Sequence, residues 1–225
     1  MRLIAGIEEA GRGPAIGPMV MCIAIIEEGR TNELIEWGVK DSKLIAPKKR
    51  EYIHNILIQQ IIYKTRIISP LEIDMCLKSQ DTNLNWLEAD VSAKLTNQML
   101  ENHDIKKAIL DCPSNNTKAY ADYYKKQINK DIEIISEHKA DVNYPIVSAA
   151  SIIAKVTRDK NIDIIKKKNN IEFGSGYTSD KRTINFLKEW YIKYKSFPEF
   201  VRKSWKTIDN IKREIDQKKL ESYFK

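Results

Sequence analysis

Two apolar segments, Leu3–Ile7 and Met19–Ile26, lie close together near the start of the chain. A segment at positions 11–18 that holds three glycines and two prolines separates them. Short apolar runs bounded by glycine and proline are typical of buried strands. The pattern predicts two strands joined by a glycine loop.

Strand-like and helix-like spacings alternate through the rest of the first 170 residues. Strands are predicted at Tyr63–Ser69, Lys107–Asp111 and Ile132–Ser136. Apolar positions three or four residues apart predict helices from Pro47, from Pro70, over Leu84–Leu100, over Tyr120–Ile128 and from Tyr144-Pro145 to about Lys168. Only helical spacing follows, at Thr183–Tyr194 and Thr207–Lys218. The order predicts an α/β sheet with a helical extension at the C-terminus.

Composition and charge narrow the class of protein. The chain is 42% hydrophobic, has no apolar run near the roughly 18 residues of a membrane span, and its first apolar segment stops at Glu8-Glu9. The three cysteines are scattered without a zinc-binding spacing. We expect a soluble cytoplasmic protein, with no membrane contact and with reduced cysteines.

The net charge of +7 is concentrated at the C-terminal end, where residues 181–225 hold 13 Lys and Arg against 6 Asp and Glu. A basic segment on a neutral body suits a polyanion, because phosphate neutralisation releases counterions. A solvated helical face is the alternative, and charge alone leaves both open.

Four carboxylates stand where strands or turns end: Glu8, Glu9, Asp111 and Asp141. Functional groups gather at strand ends in α/β sheets. Carboxylates that meet there would repel one another unless a divalent cation compensated them, and oxygen ligands favour Mg²⁺ or Mn²⁺. The pattern indicates a two-metal hydrolase of phosphodiesters, with ordinary cap and loop carboxylates as the alternative.

Three further segments are weak signals when each is taken alone. The loop Gly11-Arg12-Gly13 lets the backbone approach a ligand, and Arg12 offers a planar set of donors. Lys43 follows Asp41-Ser42, and Tyr177 lies in a glycine-rich loop where its ring could stack on a base or sugar.

Together these segments closely resemble ribonuclease HII, the type 2 ribonuclease H family, and its archaeal branch in particular. The resemblance covers nearly the whole chain, and its motifs are long and in the family's order. It is carried by the segments 5–14 (AGIEEAGRGP), 39–44 (VKDSKL), 109–111 (ILD), 138–141 (HKAD), 144–156 (YPIVSAASIIAKV) and 174–177 (GSGY).

The resemblance implies an RNase H-like mixed β-sheet flanked by helices. Residues 1–178 would form the catalytic domain, 179–216 a C-terminal helical extension and 217–225 a tail. The implied activity is endonucleolytic cleavage of RNA in RNA–DNA hybrids and 5′ to single ribonucleotides in duplex DNA, leaving 3′-hydroxyl and 5′-phosphate ends. Such enzymes are expected to act as monomers with Mg²⁺ or Mn²⁺.

The resemblance also implies roles for individual residues. By this likeness, Glu9, Asp111 and Asp141 match three of the four metal-site carboxylates, and Glu8 takes the place of the fourth. The residues implied to bind substrate are Gly11, Arg12, Gly13, Lys43 and Tyr177.

Position 8 departs from the family pattern, which has aspartate where this chain has Glu8. The additional methylene moves the carboxylate by about 1 Å, whereas productive sites are held to roughly 0.5 Å. A catalytically weakened or silent hybrid-binding protein is therefore an alternative to an active ribonuclease. A different nuclease on the same fold, such as a resolvase, would leave the glycine loop and Tyr177 unexplained.

The tail carries a second resemblance. Gln217, Leu220, Tyr223 and Phe224 have the spacing of the box with which replication and repair enzymes bind a sliding clamp of the proliferating cell nuclear antigen type. Leu220, Tyr223 and Phe224 would share one face of a helical turn and present an apolar plug. A terminal helix packed on its own protein is the alternative.

Overall fold

The structure, a computed structural model, describes residues 2–79 and 81–223, with side chains described up to Gln217. Its strands are β1 Leu3–Ala10, β2 Met19–Glu27, β3 Ile62–Ile68, β4 Ile105–Asp111 and β5 Glu133–Glu137. Its helices are α1 Thr31–Glu36, α2 Pro47–Gln60, α3 Pro70–Lys78, α4 Leu84–Leu100, α5 Thr117–Lys125, α6 Ala140–Asn143, α7 Pro145–Asn169, α8 Lys181–Tyr194 and α9 Lys206–Tyr223. The predicted α/β fold is confirmed, and the short helices α1 and α6 were not predicted. Within the described ranges, no helix is both long enough and apolar enough to cross a membrane.

The chain forms two compact units, and each is assembled from segments that are separate in sequence. The first unit comprises Met1–Ala10, Val20–Ile67 and Asn83–Arg158, and the second comprises Gly11–Met19, Ile68–Thr82 and Asp159–Lys225. The C-terminal helices thus belong to a unit that also takes in two earlier segments. The division at residues 178 and 216 that the resemblance implies stays a prediction.

The sheet of the first unit has the strand order β3-β2-β1-β4-β5. β1 pairs antiparallel with β2 and parallel with β4, and β4 pairs parallel with β5, so the sheet is mixed. In the β1–β4 register, Ile7 lies opposite Leu110. Because parallel strands end at the same edge, Glu8 and Asp111 follow this pair on neighbouring strands.

The start of α7 packs directly on β1 in the core of the first unit. A Cβ atom added to Gly6 would lie 2.5 Å from the backbone carbonyl of Ile146 and 2.6 Å from the amide nitrogen of Val147. Only glycine allows strand and helix backbones to approach this closely. This contact fixes the segment before α7, which carries Asp141, relative to the strand that carries Glu8.

An aromatic core holds the second unit together. The Phe173 and Phe200 rings stack with centroids 6.1 Å apart, and the Phe186 and Trp190 rings meet at 5.4 Å. Leu187 of α8 is fully buried in the same cluster. The basic C-terminal segment is therefore a packed structure with its own core.

The three cysteines, Cys22, Cys76 and Cys112, are free and buried, as expected from the sequence. Burial raises the pKa of the Cys22 thiol far above its usual range.

Candidate active site

The structure places the carboxylates predicted to form a site in the first unit, near the carboxyl ends of β1 and β4. Glu8 is buried and Glu9 is half-buried, and their side chains leave β1 on opposite faces because successive strand residues alternate. Asp111 is the last residue of β4. We call Glu8, Glu9, Asp111 and Asp141 the carboxylate cluster.

Glu8 is the member of the cluster with the most unfavourable surroundings for a charge. Burial raises its pKa well above the usual range, and the negative charges of Glu9, Asp111 and Asp141 raise it further. Its Oε2 is buried and has no hydrogen-bond partner among the described residues. A buried carboxylate oxygen without a partner is costly, so this position favours a proton or a cation.

Asp111 positions the segment that carries Asp141. Its Oδ1 accepts a hydrogen bond of 2.7 Å from the backbone amide of Ala140, the first residue of α6. Lys139, immediately before α6, adopts the left-handed conformation with φ of 60°. Burial raises the pKa of Asp111, the Ala140 amide opposes this shift, and the neighbouring Asp141 adds to it.

Lys43 brings the compensating charge to the cluster. Its Nζ lies 3.7 Å from Oδ2 of Asp141, and it also lowers the pKa of Glu8 and Asp111. Asp41 Oδ1 accepts a hydrogen bond of 2.9 Å from the Lys43 amide. Lys43 is therefore placed by a local turn.

A buried arginine that sequence reasoning missed fixes the same segment. Arg50 donates to the Ser42 carbonyl at 2.8 and 3.0 Å and to the Ile45 carbonyl at 2.7 Å. The Ser42 hydroxyl lies 3.0 Å from the Ser151 hydroxyl. An arginine that follows two lysines at the start of an amphipathic helix gives no sequence signal of burial.

The donor chemistry of the cluster fits a divalent cation. Its oxygens are hard ligands, the charges repel, and Glu8 has the unpartnered buried oxygen described above. Across the described residues, no three His, Cys, Asp or Glu side chains form a ready-made group that could hold a metal ion. Glu8, Glu9, Asp111 and Asp141 would hold such an ion.

Two of the predicted substrate-binding segments, the glycine loop and the loop of Tyr177, lie in the second unit, whereas Lys43 lies in the first. Gly11 has a φ of 82°, which favours glycine, Arg12 is half-buried and Gly13 is exposed. The amides of Ala15 and Ile16 donate to the Gly176 carbonyl at 2.9 and 3.2 Å. The glycine loop, Gly11–Gly17, is thus hydrogen-bonded to the loop that carries Tyr177.

Asp180 and Thr183 hold the Tyr177 loop in shape. Asp180 accepts from the Ser175 amide at 2.9 Å, and the Thr183 hydroxyl accepts from the Gly176 amide at 3.0 Å. The hydrogen bonds and ion pair with Arg182 lower the pKa of Asp180, as does the Ser175 amide. The Tyr177 side chain is half-buried on this loop.

The predicted clamp box is only partly described. The Gln217 side chain is exposed at the end of the described side chains. The side chains of Leu220 and Tyr223, and all of Phe224, lie outside the described residues.

Comparison with known proteins assigns the family. The family model described as Ribonuclease HII matches residues 5–208. The chain belongs to the ribonuclease HII family. It is 43% identical over 225 residues to Ribonuclease HII of Methanococcus maripaludis strain C6, covering 100% of this chain and 93% of that protein. The protein is accordingly a metal-dependent ribonuclease H of type 2.

Two solved structures of similar proteins confirm the fold. The ribonuclease H2 of Pyrococcus horikoshii OT3 matches with a TM-score of 0.86 and 40% identity over 96% of this chain and 99% of that one. The RNase HII of Archaeoglobus fulgidus, solved as a PCNA:RNase HII complex, matches with a TM-score of 0.81 and 33% identity over 91% and 95% of the two chains. The RNase H-like mixed sheet that the resemblance implied is therefore confirmed.

Proposed function

We propose that this ribonuclease HII cleaves the RNA strand of RNA–DNA hybrids and the bond 5′ to single ribonucleotides in duplex DNA, leaving 3′-hydroxyl and 5′-phosphate ends. The observation that carries the proposal is the buried, unpartnered Oε2 of Glu8, whose negative charge is further opposed by the charges of Glu9, Asp111 and Asp141. Such a concentration of negative charge is costly to a fold and is typical of a metal-dependent site.

The carboxylate cluster and Lys43 have different tasks in this proposal. Glu8, Glu9, Asp111 and Asp141 would hold Mg²⁺ or Mn²⁺, and Asp111 also positions Asp141 through the Ala140 amide. A pair of such ions would activate the attacking water and stabilise the leaving 3′ oxygen. Lys43, whose side chain is 79% exposed, is available to a substrate phosphate.

Recognition of the ribonucleotide is assigned to the second unit. Only the 2′-hydroxyl distinguishes RNA from DNA at a single position. Gly11, Arg12 and Gly13 would bring backbone groups and a guanidinium to that hydroxyl, and Tyr177 would stack on the sugar of the next nucleotide. The hydrogen bonds from the glycine loop to Gly176 support a shared task, because they tie the two loops together.

A nicking assay tests the proposal. Duplex DNA with one ribonucleotide, and a matched all-DNA duplex, are incubated with the protein and either Mg²⁺ or Mn²⁺. We expect a single nick 5′ to the ribonucleotide and none in the control duplex. Asp111→Asn and Asp141→Asn should each abolish the nick while binding is retained, and Asp122→Asn, an exposed change on α5, should not alter it.

The same assay distinguishes an active ribonuclease from a catalytically silent hybrid-binding protein, the alternative that Glu8 raises. Binding of the ribonucleotide duplex without a nick in either metal would identify a silent hybrid-binding protein. Full activity of Asp111→Asn or Asp141→Asn would remove that residue from the site.

We also propose that the tail binds a ring-shaped sliding clamp. The support is the spacing of Gln217, Leu220, Tyr223 and Phe224, together with the relative that was solved in complex with PCNA. The Gln217 side chain is exposed.

A further inference from the structure

A single arginine of the second unit is hydrogen-bonded to three carbonyls of the glycine loop. Arg202 is completely buried, and its guanidinium donates to the carbonyls of Gly11 at 2.5 Å, Arg12 at 2.7 Å and Gly17 at 3.0 Å. A buried guanidinium is costly unless its donors are satisfied. Three of the hydrogen bonds that the Arg202 guanidinium donates go to carbonyls of the glycine loop.

Trp205 adds a fourth hydrogen bond to the same loop. Its indole Nε1 donates to the Gly13 carbonyl at 3.0 Å, and the Arg202 guanidinium lies 4.8 Å from the centroid of its ring. Arg202 and Trp205 therefore contact each other, and each donates to different carbonyls of the glycine loop.

The backbone around Arg202 is itself fixed. The Arg202 amide donates to the Ala15 carbonyl at 2.9 Å. The buried Asp74 carboxylate accepts from the amides of Lys203 and Ser204 at 2.8 and 2.9 Å, and from the Ser204 hydroxyl. The arginine is thus held on a rigid support.

These contacts determine which way the peptide groups of the loop face. In a planar trans peptide the carbonyl of one residue and the N–H of the next point in opposite directions. Because the carbonyls of Gly11 and Arg12 face Arg202, the N–H groups of Arg12 and Gly13 are turned away from it. The next residue is Pro14, which has no N–H.

We propose that Arg202 and Trp205 are positioning residues for ribonucleotide selectivity. They hold the glycine loop so that the N–H groups of Arg12 and Gly13 are presented as donors to the ribose 2′-hydroxyl. This inference rests on the proposed function of the loop. It adds that selectivity is set by side chains almost two hundred residues away in sequence.

The test compares Trp205→Phe with Trp190→Phe in the full chain. The first change removes the donor to Gly13 and keeps an aromatic ring. The second makes the same exchange in the aromatic core of the same unit, where Trp190 packs against Phe186 and Tyr194. Steady-state nicking of the one-ribonucleotide duplex gives kcat and KM, and competition by the all-DNA duplex of the same sequence gives its inhibition constant.

For Trp205→Phe we expect KM to rise, so that kcat/KM falls about fivefold, the effect of one hydrogen bond, with an unchanged inhibition constant for the all-DNA duplex. A partly unfolded protein would instead lose kcat alone, with KM and the inhibition constant unchanged. Trp190→Phe should change none of these values. Arg202→Lys keeps the charge but loses the planar set of donors, so we expect a larger fall in kcat/KM of the same kind.

Two outcomes overturn the inference in distinguishable ways. If the wild-type protein nicks the ribonucleotide duplex and Trp205→Phe matches it in kcat/KM, or loses kcat alone, only the positioning role is wrong. If the wild-type protein neither nicks this duplex nor binds it more tightly than the all-DNA duplex, the proposed function is wrong, and the inference falls with it.

Discussion

The Nζ atom of Lys43 lies 3.7 Å from Oδ2 of Asp141, although the Lys43 side chain is 79% exposed and that of Asp141 only 5% exposed. An exposed lysine gains little stability from such a pair. Beside the buried carboxylate, its charge offsets part of the negative charge of the cluster.

Lys43→Ala should lower the nicking rate. The loss of one charge-assisted contact to a substrate phosphate costs about 1.5–3 kcal/mol, or roughly ten- to a hundredfold in kcat/KM. Lys48→Ala, an exposed lysine at the start of α2, serves as the control. A normal rate for Lys43→Ala would show that the lysine does not contact the substrate.

Gly6→Ala should destabilise the first unit by about 3 kcal/mol or more, because the added methyl group meets the backbone of α7, which cannot move aside as a flexible side chain can. Gly29→Ala is the matched control, since a Cβ there meets no atom within 4 Å. Chemical denaturation measures both variants. Equal stability of the two would mean that α7 shifts away from β1 at little cost.

Glu8→Asp should raise Mg²⁺-supported nicking at least tenfold, which corresponds to about 1.4 kcal/mol of barrier. Mg²⁺ requires near-ideal octahedral geometry, which a glutamate in place of the family's aspartate disturbs, whereas Mn²⁺ should tolerate it better. Single-turnover rates for both proteins in both metals measure the effect. Glu9→Asp, where the family pattern is already met, should instead lower the rate. Equal Mg²⁺ rates for Glu8→Asp and the wild type would show that the surrounding backbone has adapted to glutamate.

Tyr177→Ala should slow nicking at single ribonucleotides, because it removes a stacking interaction whose free energy is about 1–3 kcal/mol. The variant should remain folded. Tyr177→Phe keeps the ring and should retain most of the activity. Tyr52→Ala removes a tyrosine that is 66% exposed on α2 and controls for the loss of a surface ring. If Tyr177→Ala nicks as fast as the wild type, the loop does not use its ring.

Removal of residues 217–225 should leave hydrolysis of short duplexes nearly intact and abolish association with a sliding clamp. The truncation keeps Asp216, whose carboxylate accepts a hydrogen bond of 2.9 Å from the Tyr191 hydroxyl. Tyr223→Ala with Phe224→Ala should have the same effect, whereas Lys218→Ala with Lys219→Ala should bind normally. Gel filtration measures clamp binding. If the truncated protein still binds the clamp, residues 217–225 are not the clamp-binding segment.

The sequence predicts the sheet, and marks the candidate carboxylates, for a physical reason. β1 and β4 are short apolar runs in which a carboxylate is conspicuous, so Glu8 and Asp111 stand out at their ends. Asp141 stands out by its position shortly before the proline that begins α7, since no periodicity marks the short helix that carries it.

The supporting arginines could not be predicted in the same way. Arg50 and Arg202 look like surface residues in basic, amphipathic segments, and their burial depends on carbonyls that only the folded chain brings near. A backbone carbonyl carries no residue-specific signal in a sequence. Residues that support a loop through its backbone carbonyls can therefore be identified only from the structure.

The burial of all three cysteines has a practical consequence for measurement. A buried thiol is inaccessible to reagents in solution. A cysteine introduced at an exposed position, such as Glu51 on α2, would therefore react selectively with a maleimide fluorophore. Fluorescence labelling of this enzyme can begin from the native sequence, with no prior replacement of its own thiols.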